Sequence, residues 1–393
     1  MTLLALLSVI AGLVSVAIAT YLLIFAVAGR TYRVPAWPNA RHYRRIAVVI
    51  PVYREDAVIL DTVDSALAQD YPEDRFDVVV IADRLEMGTL KLLAQLPVRT
   101  IPVKFEQSTK VKALQRAVDV LGLDGYDAIT ILDADNHMQP GFLERANGAM
   151  EAGWEAVQGL RAAKNADRAV SRFDGLTEGM NTNIFRRGHV VLGLPSALTG
   201  SGMTFKWSLF ATWIKSAQAV GGFDKEFELY LTSRKVDIAY DEAAVVLDEK
   251  VSTHAGLARQ RSRWMGAQWH YARLHMGKAL LEWRSHRNTG YADKAFQMML
   301  PPRVLLLAAS VTCIPVTWWT LGPLTALPWI LSVVILLSAL QLSASVSTSR
   351  LHWSDLLQVP AALFSYLRGF AQSRTANRSF VHTVHRVHTS TPN

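Results

Sequence analysis

The chain of 393 residues holds a single cysteine, Cys313. One thiol excludes a disulfide framework and any cysteine-based metal cluster. Cys313 lies inside an apolar run and reads as packing. Charge is missing from two long stretches. No Asp, Glu, Lys or Arg precedes Arg30, and none stands between Arg303 and Arg350. A water-facing surface without charge over such lengths is excluded, so both stretches belong in lipid. Glycine is missing where a nucleotide-binding loop would need it. The first strand-like run ends in Pro51-Val-Tyr-Arg-Glu55, which rules out the dinucleotide fingerprint and the P-loop. A nucleotide diphosphate bound here needs another neutralising group, and a divalent ion held by carboxylates is the natural substitute. Acid is missing after Asp355, which leaves the C-terminal tail purely basic.

Hydrophobic residues make up 50% of the chain. Mean hydropathy is +0.16, an average over an ordinary globular middle and lipid-like ends. About 20 apolar residues cross a bilayer as a helix. Residues 1–29 read as such a helix rather than a cleaved signal, because the basic cluster Arg30, Arg33, Arg41, Arg44 and Arg45 follows it. That bias puts the N-terminus outside and the next domain in the cytoplasm. Residues 304–321 and 324–346 read as two further crossings, joined at Trp318-Trp-Thr-Leu-Gly322-Pro323. Residues 353–372 read as an amphipathic helix at the membrane surface, with a crossing as the alternative, and 373–393 as a basic cytoplasmic tail. The net charge of +8 gathers beside these segments. It suits anionic lipid headgroups and leaves no separate domain for nucleic acid.

Between the anchors, 45–255 reads as one α/β domain. Strands are expected over 45–53, 76–82, 99–103 and 128–132, and helices over 55–69, 90–96 and 110–121. This alternation predicts a mostly parallel sheet covered on both faces, with near-continuous apolar central strands. Short strands are expected over 238–240 and 243–247. A helix is expected over 225–231, and a long one, rich in arginine and aromatics, over 256–286.

Open sheets of this kind bind ligands beyond the carboxyl ends of their strands. Asp83 and Asp133-Ala-Asp135 fall there, delivered by separate strands. Taken alone, Asp83 reads equally as a loop cap or a ligand group. In Asp133-Ala-Asp135 the two acids point the same way in extended backbone, so one can reach inward and the other a metal. The Thr199-Gly-Ser-Gly202 bend reads as an ordinary turn or as backbone that approaches a sugar. Asp224 is placed to cap the helix after it, with Glu226 and Glu228 nearby. Gln260, Arg263 and Trp264 share a helix face. There a ring can stack on a sugar, while the amide and guanidinium bond phosphate or hydroxyls.

Together these motifs resemble the membrane-bound inverting family 2 glycosyltransferases, the group of the cellulose, chitin and hyaluronan synthases. The resemblance rests on Pro51-Val-Tyr-Arg-Glu55, Asp83, Asp133-Ala-Asp135, Thr199-Gly-Ser-Gly202, Asp224 and Gln260-Arg-Ser-Arg263-Trp264. It implies a GT-A-like fold with terminal transmembrane helices and amphipathic interface helices. It implies a donor site for a nucleotide-diphosphate sugar, of uridine type, at Pro51, Tyr53, Glu55, Asp83, Lys112, Asp133 and Arg263, with Lys110 as the alternative lysine. It assigns Mg²⁺ or Mn²⁺ to Asp135, the acceptor to Thr199, Gly200, Ser201, Gly202, Gln260 and Trp264, and the general base to Asp224. Gly222-Phe223 stands where the family's Thr-Glu would precede that base, so Glu226 and Glu228 stay open as alternatives. The setting implied is a bacterial inner membrane with the catalytic domain in the cytoplasm.

Three functions follow for comparison. The first is single-sugar transfer, forming a β-linkage, to a lipid-linked acceptor in exopolysaccharide or glycolipid synthesis. The second is processive synthesis of a β-linked polysaccharide, which the Gln-x-x-Arg-Trp motif favours. The third is a silent sugar-binding or scaffold subunit. Few crossings favour the first, because an acceptor already in the bilayer needs no polymer channel.

Overall fold

The computed structural model describes residues 2–372, apart from positions 39, 220, 348 and 351. The basic tail expected over 373–393 lies outside the described residues. The chain opens with α1 (Leu3–Gly29) and enters the sheet domain with β1 (Ile46–Tyr53), α2 (Ile59–Leu67), β2 (Phe76–Asp83), α3 (Met87–Leu93), β3 (Arg99–Val103), α4 (Lys110–Leu121) and β4 (Ala128–Ile131). Then come β5 (His137–Met138), α5 (Phe142–Glu151), β6 (Ala156–Ala163) and α6 (Ala169–Asn181). α6 continues through a π-wound segment, Thr182–Gly188, into α7 (His189–Val191). The domain closes with β7 (Met203–Lys206), α8 (Trp207–Ile214), α9 (Phe223–Ser233) and β8 (Ala239–Asp248). After it run α10 (His254–His286), α11 (Thr289–Gln297), α12 (Arg303–Leu321), α13 (Pro323–Ala344), a 3₁₀ turn at Trp353–Gln358 and α14 (Val359–Gln372).

The eight strands form one sheet in the order β3-β2-β1-β4-β7-β6-β8-β5. Its first half is parallel as expected: β1 pairs with both β2 and β4, and β2 with β3. The second half corrects the mostly parallel expectation. β7 runs antiparallel to β4 and β6, and β5 antiparallel to β8, so the sheet is mixed. The cause is β7, a four-residue strand on the rim of the Thr199-Gly-Ser-Gly202 bend, too short to show a period. The two strands expected over 238–247 are one, β8, with an irregularity in its register opposite Gly159 and Leu160. Asp241 makes the break by accepting a bond from the Ala243 amide at 2.9 Å.

Both sheet faces are buried, which is why the central strands read as continuous apolar runs. One face packs Val49, Ile81, Leu114 and Phe205 beneath the aromatic stack of Trp213 and Phe227, whose rings lie 4.1 Å apart. The other packs Ile50, Val80, Ile59, Val63, Phe142 and Val246.

Among the described residues three helices, α1, α12 and α13, are long and apolar enough to cross a membrane. Ser15, Ser310 and Ser332, one from each, hydrogen-bond at their common centre. α14 has 14 residues, fewer than the roughly 20 a crossing needs. It lies against α10, where Gly369 meets Ala258 and Ser262. The π segment joins the sheet domain to α1. At Gly188 an added Cβ would sit 2.2 Å from the Phe25 carbonyl oxygen. Gly188→Ala should therefore force α1 away and destabilise the protein by about 1–3 kcal/mol. Thermal unfolding of the full chain in detergent checks this, and an unchanged midpoint would contradict the close packing.

Candidate functional site

The site grows from the carboxyl ends of β1, β2 and β4. Tyr53 and Asp83 are register partners at the last rung of β1 and β2. Each strand then turns through a left-handed residue, Arg54 and Arg84. Asp83 is 3% exposed. Arg84 Nε lies 3.9 Å from its Oδ1, too far for a hydrogen bond, and Oδ1 has no such partner among the described residues. A buried acceptor without a donor is costly, so this oxygen suits a ligand N–H.

From the end of β4 come Asp133 and Asp135, both facing one cleft with Pro51, Tyr53, Glu55 and Asp83. The Asp133 amide donates to Ser201 Oγ at 3.0 Å, and its carboxylate pairs with Lys110. Lys110 also donates to the Gly200 carbonyl at 2.6 Å and stands 4.8 Å above the Phe223 ring. Of the two lysines considered on α4, Lys110 is thus the one that lines the cleft. Lys112 is exposed, lies outside the cleft wall and donates to the Gln107 carbonyl at 2.9 Å. The reason is helical spacing: two residues along α4 turn a side chain through about 200°.

The 199–202 bend is clamped from behind by Gln158 on β6, a residue the sequence did not single out. Its Oε1 accepts from the Thr199 amide at 2.9 Å, and its Nε2 donates to the Ser201 and Gly202 carbonyls. Thr199 and Gly200 line the cleft; Ser201 and Gly202 stand behind it.

Of the three acids considered for the base, Asp224 alone lines the cleft. It occupies the first turn of α9 rather than the cap, which is Gly222. Desolvation raises its pKa; Lys225, at 3.8 Å, opposes the shift and Glu228 adds to it. Glu228 is fully buried, and its Oε2 accepts from the Leu198 amide at 2.6 Å and from Lys225 at 3.2 Å. Glu226 turns toward the Gln218 amide and the Tyr271 hydroxyl, each at 3.4 Å. Gln260, Arg263 and Trp264 reach the cleft from α10, whose start is capped by Thr253. Burial lowers the Arg263 pKa, and Asp133 counters it.

The cleft encloses about 1580 Å³ and extends well past these residues, to Leu307, Leu337 and Leu340 of α12 and α13. Its middle wall holds Arg161, Glu178, Arg186, Asp248, Lys250 and Arg261, none of them anticipated. Their one sequence signal is the pair Asp174 and Glu178, acids four apart on the buried face of α6.

The family model described as glycosyltransferase like family 2 matches residues 44–267. The chain belongs to this family. No curated protein matches it. Among solved structures, the mannosyltransferase PcManGT of Pyrobaculum calidifontis, in complex with GDP-Man and Mn²⁺, is 14% identical, with a TM-score of 0.60 over 93% of this chain and 98% of that one. TarS 1–349 of S. aureus gives 12% identity and a TM-score of 0.43, covering 85% of this chain and 90% of its own. Glucosyl-3-phosphoglycerate synthase of Mycobacterium tuberculosis, in complex with Mn²⁺, UDP and glucosyl-3-phosphoglycerate, gives 18% and 0.39 over 56% and 79%. The first likeness shows the fold: a GT-A α/β domain with apolar helices at both ends.

Among the described residues no three His, Cys, Asp or Glu side chains stand close enough to hold an ion by themselves. Asp133 and Asp135 face the cleft together, and Mg²⁺ is commonly held by one or two carboxylates plus substrate phosphates. The pair fits an ion that arrives with a diphosphate. Lys110 already supplies a cation to Asp133. Lys110→Met should bind Mn²⁺ alone about tenfold more tightly than the wild type, as titration without nucleotide would show; equal affinities would refute competition.

The raised pKa of Asp224 sets a second expectation. A group whose folded pKa lies above its unfolded one destabilises the fold once ionised, so the penalty grows as pH rises through the ordinary carboxylate value of about 3.9. Asp224→Asn should unfold a few degrees higher than the wild type at pH 7. The gap should close as pH falls toward 4, and a gap independent of pH would contradict the shift.

Proposed function

We propose that this family-2 glycosyltransferase moves one sugar from a nucleotide-diphosphate sugar, of uridine type, to a lipid-borne acceptor at the cytoplasmic face of a bacterial inner membrane. The product carries a β-linkage formed with inversion. The observation that carries this reading is the single cleft running from Asp83 to the apolar helices. It offers a donor groove and a lipid approach within one wall. The likeness to a mannosyltransferase solved with GDP-Man and Mn²⁺ supports a nucleotide-diphosphate sugar and a metal; the uridine type follows from the motif resemblance alone.

In this reading residues 45–255 form the catalytic domain, 256–300 interface helices, 1–29, 304–321 and 324–346 the crossings, and 353–372 a surface helix. Asp83 accepts an N–H of the base through its unpartnered oxygen. Pro51, Tyr53 and Glu55 wall the nucleotide, and Thr199 and Gly200 bring backbone to the sugar. When bound at Asp133 and Asp135, Mg²⁺ or Mn²⁺ supplies a Lewis acid for the diphosphate. Lys110 and Arg263 oppose the charge that grows on the leaving diphosphate. Trp264 stacks on a sugar face while Gln260 holds a hydroxyl. Asp224 takes the acceptor proton as the hydroxyl attacks C1 from the side opposite the diphosphate. Its raised pKa brings its basicity closer to the working pH. One displacement inverts the anomeric centre without a covalent enzyme intermediate.

The test is transfer by the purified full chain in nanodiscs, offered a panel of nucleotide sugars, Mn²⁺ and lipid extract, with products identified by mass. A lipid heavier by one sugar is expected. Asp224→Asn should cut kcat by about 10²–10⁴ while nucleotide binding persists. No transfer from any nucleotide sugar would overturn the reading, and a ladder of sugars would replace it with processive synthesis.

A further inference from the structure

The donor end of the cleft is rich in acid, with Asp83, Asp133, Asp135 and Asp224. The middle wall, toward the membrane helices, is the reverse. Arg161 at the end of β6, Arg186 in the π segment, Lys250 after β8, Arg261 on α10 and Arg303 at the first residue of α12 all line it. Three carboxylates answer them. Glu178 accepts from Arg186 at 2.7 Å and Arg161 at 3.4 Å. Asp248 takes Lys250 at 2.6 Å and faces Arg161 at 3.6 Å. Asp174 pairs with Arg261. Five cations against three anions leave two positive charges over. Arg168, Arg259 and Glu249 in the wider wall keep the balance positive.

The same arginines are short of acceptors. Arg161, Arg186, Arg261 and Arg303 each retain a buried guanidinium nitrogen without a hydrogen-bond partner among the described residues. Arg186 and Arg261 are only 5% and 6% exposed. Buried, unbalanced guanidiniums are costly, and planar guanidiniums suit phosphate above other anions. The position selects the carrier of that phosphate. The π segment bearing Arg186 packs on α1, and Arg303 begins α12, so the cluster sits where the wall turns to Leu307, Leu337 and Leu340. A ligand that satisfies both parts has an anionic head and a long hydrocarbon chain.

We propose that this arginine cluster binds the phosphate of a phosphorylated long-chain lipid, so that the attacking hydroxyl belongs to a sugar carried on a lipid phosphate or diphosphate and not to a neutral lipid. The inference rests on the lipid-transferase reading and narrows its acceptor. The phosphate lies on the membrane side of Asp224, and the chain runs along α12 and α13.

The experiment compares binding of phytanyl phosphate, phytanol and inorganic phosphate to the full chain in maltoside detergent, with nucleotide-sugar affinity measured on the same samples. Phytanyl phosphate should bind at least about tenfold more tightly than phytanol, the worth of one charge-assisted bond. Inorganic phosphate at equal concentration should not displace it. Arg303→Gln and, separately, Arg261→Gln should each erase most of that preference, while nucleotide-sugar affinity moves by less than about twofold. Arg303→Lys should restore part of it. Equal affinity for phytanol, displacement by inorganic phosphate, or a preference intact in both Gln variants would each overturn the proposal. If the wild type binds phytanyl phosphate selectively but no nucleotide sugar, the transferase reading fails and the lipid-phosphate site stands.

Discussion

Glu178 lies between Arg161 and Arg186 in the middle of the protein, and the three come from three different elements: β6, α6 and the π segment. Burial alone would push its carboxyl up. Arg186, Arg161 and Lys250 outweigh burial and hold it well below the usual carboxylate range, so it stays charged. Removing one member of such a cluster leaves an uncompensated buried charge, at a cost of about 3–5 kcal/mol. The sheet and the helix that packs on α1 are therefore joined by charge as well as by contact. The same network reaches the site. Arg161 donates to the Thr199 carbonyl at 3.2 Å, and Asn136, next to Asp135, donates to Asp248 at 2.9 Å. The 199–202 bend, the Asp-x-Asp turn and the apolar helices share one electrostatic frame.

That frame divides the cleft into regions of opposite sign. Carboxylates dominate where β1, β2 and β4 end; guanidiniums dominate where α10 and α12 begin. The two regions stay electrostatically coupled, because charges attract more strongly where the effective dielectric is low; Asp133 is among the acids that raise the Arg161 pKa against its burial. A transferase gains from this division. In the proposed reaction the acid end takes a cation together with its anionic donor, whereas the basic end takes an anion directly. Two anionic substrates would then bind side by side without competing for the same groups.

How much of this was legible follows from where each signal lies. The parallel half of the sheet was readable because β1, β2 and β4 are buried on both faces and leave apolar runs ending in polar residues. Asp83, Asp133 and Asp135 were visible at those ends for the same reason. β7 and β5, with four and two residues, carry no period, so the antiparallel half stayed hidden. β8 appeared as two strands because Asp241 and Glu242 interrupt its apolar pattern at the irregular register, a break in pairing and not in the strand. Choosing between Lys110 and Lys112 required the helix phase of α4, which is set by Thr109 accepting from the Lys112 amide. The arginine cluster left almost no trace, since its partners are spread from Arg161 to Arg303 and meet only through the fold.

The departure from the family's Thr-Glu at positions 222 and 223 has a physical use in this chain. Gly222 has φ 69°, and an added Cβ would fall 2.7 Å from the Ala267 Cβ on α10. Threonine there would be strained in its backbone and would separate α9 from α10. Glycine lets the two helices close, and with them Asp224 and the Gln260–Trp264 face. Phe223 replaces a carboxylate with a ring, and that ring lies under the Lys110 ammonium. Such a contact is worth about 0.5–2 kcal/mol and helps hold Lys110 on Asp133. A glutamate at 223 would offer Lys110 a second anion and draw it away. With phenylalanine at 223 this end of the cleft carries one negative charge fewer than with glutamate, and Lys110 stays on Asp133. Glycine and phenylalanine at 222 and 223 thus leave Asp224, the proposed base, on the cleft wall beside Gln260 and Trp264.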